Sequence, residues 1–60
     1  MNGGVATEAI KEAALAVAKA WQILTKAGEE EAAAVIMAAG EKAFDAHVFG
    51  EAVVQAVAEA

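Results

Sequence analysis

The sequence contains no cysteine and no proline, and these two absences constrain the fold first. Without cysteine, neither a disulfide framework nor a thiolate metal site can stabilise the chain. Proline-bounded turns are missing too, and the β-branched residues are diluted by alanine, so no alternating strand pattern emerges. We therefore predict an all-α protein whose stability comes from packing alone.

Arginine and serine are also absent, which narrows the possible functions. Four lysines stand against nine acidic residues, giving a net charge of −5. That balance argues against a nucleic-acid surface and against an anionic-membrane binder. Because serine and cysteine are missing and neither threonine has a histidine nearby, nucleophilic catalysis of the triad kind lacks its parts. We expect no enzymatic activity and no cofactor.

Long apolar runs are missing as well. The longest uncharged run covers residues 32–40, whereas a membrane span needs roughly 18 to 20 apolar residues. The N-terminus has neither the basic region nor the continuous apolar segment of a signal peptide. We expect no membrane span and take the cytoplasm as the default location.

Alanine is what the chain has in abundance: 19 of its 60 residues, against 17 larger apolar residues. Alanine favours helix but buries little area. A monomer of this size buries only about 60% of the surface that its unfolded chain exposes. We therefore expect the chain to associate with a second copy of itself, most simply as a dimer.

Helix boundaries are indicated by charge and glycine placement. Gly28 follows Lys26 and precedes a run of three glutamates, a pattern that predicts a left-handed helix end and then a new helix N-terminus. Thr7 is placed to cap the first helix. The predicted single domain, residues 1–60, has a frayed tail at 1–5, a first helix at 6–27, a turn at 27–29 and a second helix at 29–59.

Heptad spacing identifies one apolar seam on each predicted helix. The first consists of Ile10, Ala14, Val17, Trp21 and Leu24, and the second of Ala32, Ile36, Ala39, Ala43, Ala46, Gly50, Val53 and Val57. The first seam is bulky and the second is small in its middle, so an antiparallel helical hairpin would pack large side chains against small ones. Two hairpins could then form a dimeric four-helix bundle. The residues predicted for the core and interface are Ile10, Val17, Trp21, Leu24, Ile36, Ala39, Ala43, Ala46, Gly50, Val53 and Val57.

Gly50 leaves the second helix open to another interpretation. As a seam residue it would allow close packing. As a helix end it would place a break after Phe49 and start a third helix at Glu51, giving a short three-helix bundle. Because no Ser, Thr, Asp or Asn precedes Glu51 as a cap, we favour one long helix.

A second apolar stripe, Met37, Phe44 and Val48, supports an alternative function. It lies about a quarter-turn from the small seam and could receive an amphipathic helix of another protein. His47, the only histidine, supports a third function, a metal- or haem-binding bundle, although no second histidine and no Glu-x-x-His pair accompanies it. Glu41 and Asp45, spaced i,i+4, are interpreted as a solvated acidic surface.

We favour a non-catalytic, structural self-assembly module over these alternatives. The hairpin pattern is shared by many unrelated proteins, natural and designed, and it indicates no family.

Overall fold

The computed structural model describes the backbone of residues 3–60 and the side chains of residues 8–60. Within that range the chain forms three helices and no strand: α1 (Gly3–Lys26), α2 (Glu30–Ala43) and α3 (Ala46–Glu59). Helix α1 packs against both α2 and α3, which contact each other far less. The all-α prediction is confirmed for the described part of the chain.

The turn between α1 and α2 lies at the three residues that the sequence predicted. Gly28 has φ +81°, a left-handed conformation that glycine adopts without a Cβ clash. Its amide donates to the carbonyl of Thr25 at 3.1 Å, and the amide of Glu29 donates to that of Leu24 at 2.9 Å. These paired bonds form a Schellman motif, which ends α1 and reverses the chain.

The start of α1 differs from the prediction. The helix begins at Gly3, so Thr7 lies within it and not at the N-cap position. A threonine favours a helix start but does not impose one, and no proline stands upstream to stop the helix from extending. The predicted frayed tail, 1–5, is therefore helical from Gly3, and residues 1–2 lie outside the described part.

The predicted long helix, 29–59, is two helices. Residues Phe44 (φ −124°, ψ 154°) and Asp45 (φ −57°, ψ 141°) are extended and separate α2 from α3. The break therefore lies five residues before the alternative position after Phe49, and Gly50 lies inside α3. The single hairpin predicted from the heptad pattern is replaced by a three-helix arrangement.

Local capping explains why the chain breaks at Asp45. One carboxylate oxygen of Asp45 accepts a hydrogen bond from the amide of His47 at 3.0 Å, which satisfies a free donor at the start of α3. Phe44 and Phe49 flank this cap, with ring centroids 6.0 Å apart and planes 17° from parallel. They occupy the N′ and N4 positions of a hydrophobic staple, which fixes the angle at which the chain enters α3.

Helix α3 runs in the same direction as α1. Near its start, Val48 shares a cleft with Leu15 at the middle of α1. At its end, Glu59 Oε1 lies 3.0 Å from Lys19 Nζ, further along α1. The three helices therefore run up, down and up.

The core between α1 and α3 is built mainly from alanine. Ala14 and Ala18 on α1 are fully buried, and Ala52 and Ala56 on α3 are 7% and 3% exposed. Each pair is spaced i,i+4, so its two methyl groups lie on one face of their helix. Such small side chains allow helix backbones to approach closely. Phe49 completes this cluster, and the partly buried side chains around it are Leu15, Val17, Met37, Phe44, Val48 and Val53.

Candidate interaction surface

Of the seam predicted on α1, Ala14 lies in the core, and the larger residues lie beside the core. Ile10 is 46% exposed, and Val17, Trp21 and Leu24 are half-buried. The heptad pattern favours large residues, whereas the buried side of α1 carries alanines. The larger residues of the seam therefore lie on the side of α1 next to the buried alanines.

Trp21 packs against a different side of α2 from the one predicted. Its ring lines an open cleft with Ala33, Ala34 and Met37, and of these Ala33 is buried. The antiparallel hairpin predicted from the two seams would instead place Trp21 near Ile36 of the small seam. The side of α2 that carries Ala33 and Met37 therefore lies beside Trp21.

The small seam is largely uncovered within the chain. Ala39, Ala43, Ala46 and Gly50 are all exposed. Ile36 and Val53 are half-buried. Val57 is 50% exposed. These residues do not form the centre of the core, and their role in an interface between copies stays a prediction.

The second predicted stripe contributes to the core of its own chain. Met37, Phe44 and Val48 are half-buried and pack against the central cluster. Phe44 is also occupied by its stack with Phe49. This stripe would lie on a free surface only if residues 29–59 formed one straight helix. The break at Asp45 turns these side chains inward.

An apolar surface that the chain leaves largely uncovered lies on α3. Three polar residues of this helix, Glu51, Gln55 and Glu59, are spaced four apart and form one strip. We define the outer face of α3 by the exposed residues on the side away from the core: Ala46, His47, Gly50, Val54, Val57 and Ala58.

Exposure along the outer face of α3 is high for apolar residues. Val54 is 69% exposed and Val57 is 50% exposed. At Gly50 no atom lies within 4 Å of the place a Cβ would occupy. A helix with apolar residues on nearly every side is typical of a helix that is covered all round. Within this chain, however, α3 is covered on one side only.

The polar strip of α3 is tied to α1 at its end. Glu59 Oε2 accepts a hydrogen bond from Gln55 Nε2 at 2.9 Å, while Oε1 pairs with Lys19. The hydrogen bond from Gln55 and then the bond and positive charge of Lys19 lower the pKa of the Glu59 carboxyl from its ordinary value. All three interactions favour the ionised carboxylate, so the contact between Glu59 and Lys19 is favoured at neutral pH.

The residues predicted for metal or acid–base chemistry are placed apart. His47 Nε2 lies 3.2 Å from Glu51 Oε2, with both side chains mostly exposed. Among residues 8–60, no three His, Asp or Glu side chains are grouped as a metal site would require. Asp45 caps α3, while Glu41 lies on α2 beyond the break, so the predicted i,i+4 pair is divided.

A mixed-charge cleft of about 320 Å³ lies between the first half of α1 and α3. Glu8, Lys11, Glu12 and Glu51 line it, and all four are exposed.

In the part of the chain described, no helix is both long enough and apolar enough to cross a membrane.

Comparison of the chain with protein-family models, with curated proteins and with solved structures found no match. The function is therefore inferred from the geometry of the chain itself.

Proposed function

We propose that the protein is a non-catalytic self-association module, in which copies of this three-helix chain pair to cover apolar surface that each leaves open. The observation that carries this proposal is the contrast between the core and the surface. The core cluster contains four alanines and one phenylalanine. Larger residues such as Val54 and Ile23 are 69% and 67% exposed.

The accessible surface of the chain supports the proposal quantitatively. The chain exposes 4096 Å², whereas folded monomers of 6.0 kDa expose about 3,600 Å² by the usual scaling with mass. The difference is about 500 Å² of additional exposed surface per chain. Association with a second copy is the simplest way to remove surface of this kind from water.

The alternative of a module that recognises a foreign amphipathic helix is less well supported. Its predicted docking stripe, Met37, Phe44 and Val48, is already half-buried against the chain's own core. A partner helix would have to displace those contacts.

Sedimentation velocity and thermal unfolding over the same dilution series test the proposal. We expect the sedimentation coefficient and the melting temperature to rise together with protein concentration, because binding to the folded state alone stabilises it by mass action. A monomer at every concentration, with an unchanging melting temperature, would refute self-association.

A further inference from the structure

We propose that two copies pair through the outer face of α3, antiparallel about a two-fold axis, with Val54 of each chain seated on the partner subunit's Gly50. This inference rests on the proposed self-association and identifies the surface that carries it.

The spacing of Val54 and Gly50 makes this face complementary to itself. The two residues are one helical turn apart, about 6 Å along the axis. Val54 projects into solvent, and no atom occupies the space at Gly50 within 4 Å. A two-fold axis at the level of Ala52 places each valine opposite a glycine, because positions 50 and 54 are equally far from it. The Val54 side chain of each chain therefore faces the open space at the other chain's Gly50, so the contact is made twice.

The same axis matches the flanking residues. Val57 lies five residues after Ala52, which places it level with the partner's His47 and one residue from the level of the partner's Ala46. Val57 and Ala46 differ in direction around the helix by only about 20° at 100° per residue, and both are exposed. Val57 therefore meets the partner's Ala46, and the partner's His47 lies beside this contact. Large side chains facing small ones allow two helices to pack closely.

The area to be covered fits a second copy. A specific interface buries at least about 1,000 Å² in total, so the outer face of α3 must cover about 500 Å² per chain. The surface of the whole, elongated chain exceeds the usual scaling with mass by an area of this size. We therefore expect a dimer that dissociates on dilution. The partner must present a glycine opposite Val54 and a valine opposite Gly50. The α3 helix of a second, antiparallel copy presents both.

Charge places a further condition on this pairing. Helix α3 contains no lysine. Its acidic strip, including Glu51 and Glu59, borders the outer face, and His47, 3.2 Å from Glu51, is a polar side chain on that face. Two chains of net charge −5 repel at long range, and salt screens that repulsion. Added salt should therefore strengthen the dimer.

A pair of matched valine substitutions tests the face. Val54→Glu and Val35→Glu replace valines that are 69% and 66% exposed on α3 and α2, and glutamate favours helix at both positions. We expect Val54→Glu to weaken dimerisation by on the order of tenfold or more, since it places a charge against an apolar interface. Val35→Glu should leave the dissociation constant within about twofold.

Substitution of Gly50 provides a test with opposite signs. Gly50→Gln should raise the melting temperature of the dilute, monomeric protein, because glutamine replaces glycine within an exposed helix. The same change should weaken the dimer, because its side chain fills the space assigned to Val54. If Gly50 instead lies outside the dimer interface, Gly50→Gln should raise the melting temperature without weakening the dimer.

Failure of the inference is distinguishable from failure of self-association. If the wild-type chain stays monomeric, both are wrong. If it dimerises and Val54→Glu dimerises equally well, or if Val35→Glu is equally damaging, only the assignment to α3 is wrong. Ala39→Glu, on the exposed small seam of α2, then tests the alternative interface, and a selective loss there overturns the assignment.

Discussion

The ring of Phe49 lies so close to the backbone of Gly40 that a methyl group at position 40 would overlap its Cζ, Cε1 and Cε2 atoms. Gly40 is itself buried near the end of α2, and Phe49 is 3% exposed near the start of α3. This contact joins the two helices on either side of the break. A glycine that weakens α2 as a helix is therefore required by the packing of α3.

Replacing Gly40 by alanine should destabilise the fold. Alanine in place of glycine stabilises an open helix position by about 1 kcal/mol, but here the methyl group must displace the ring, and overpacking costs about 1–3 kcal/mol. Gly50→Ala is the matched control, because that position is open. Denaturant unfolding of dilute protein should give free-energy changes of opposite sign. Equal stabilisation by both substitutions would contradict the observed contact.

The N-cap of α3 should contribute measurably to stability. Asp45→Ala removes the acceptor for the His47 amide and should cost about 1 kcal/mol, whereas Asp45→Asn should retain most of it. Glu29 occupies the same position before α2 without a side-chain cap bond. Glu29→Ala should therefore change the free energy of unfolding by only a few tenths of a kcal/mol. If the two alanine variants lose the same stability, Asp45 is not the cap that positions the break.

The alanine contact between α1 and α3 should tolerate no added volume. Ala18 is fully buried, whereas Ala16, two residues earlier, is exposed. Ala18→Leu should destabilise by about 1–3 kcal/mol through overpacking, and Ala16→Leu should be within about 0.5 kcal/mol of the wild type. Chemical denaturation of both variants measures the difference. Tolerance of leucine at position 18 would mean that the helices are further apart than the structure places them.

The carboxyl of Glu59 should report the α1–α3 contact through its titration. Removing either partner, by Gln55→Ala or Lys19→Met, should raise its pKa toward the ordinary value, while Lys26→Met should not. Because the pKa is lower in the folded state, the contact stabilises the fold above the unfolded pKa. That stabilisation is lost as pH falls through the folded pKa. Carbon-detected NMR titration follows this group directly, and an unchanged pKa in both variants would exclude the contact in solution.

The helical class and the first turn could be predicted from the sequence because both depend on local chemistry. The absence of proline and the abundance of alanine fix the class, and Gly28 followed by glutamates fixes the turn. The same local logic applies at Asp45, preceded by Phe44 and followed four residues later by Phe49. The heptad pattern hides this staple, because its positions continue without interruption from Ala43 to Gly50 and predict one continuous helix there.

The core could not be predicted in the same way. Periodicity identifies which residues share a helix face, and bulk then favours Ile10, Val17 and Leu24 as the buried ones. Which face is buried depends on where the third helix packs, and that follows from the break. Once α3 returns beside α1, the positions between them are too close for large side chains, so the seam residue Ala14 is buried together with Ala18, which lies outside the predicted seam.

An isotope-filtered NOE experiment on a mixture of labelled and unlabelled chains tests the proposed pairing most directly. At a concentration where sedimentation gives a dimer, we expect intermolecular NOEs from the methyl groups of Val54 in one chain to the α-protons of Gly50 in the other. Intermolecular NOEs that involve Ala39 and Ala43 but not α3 would contradict the account.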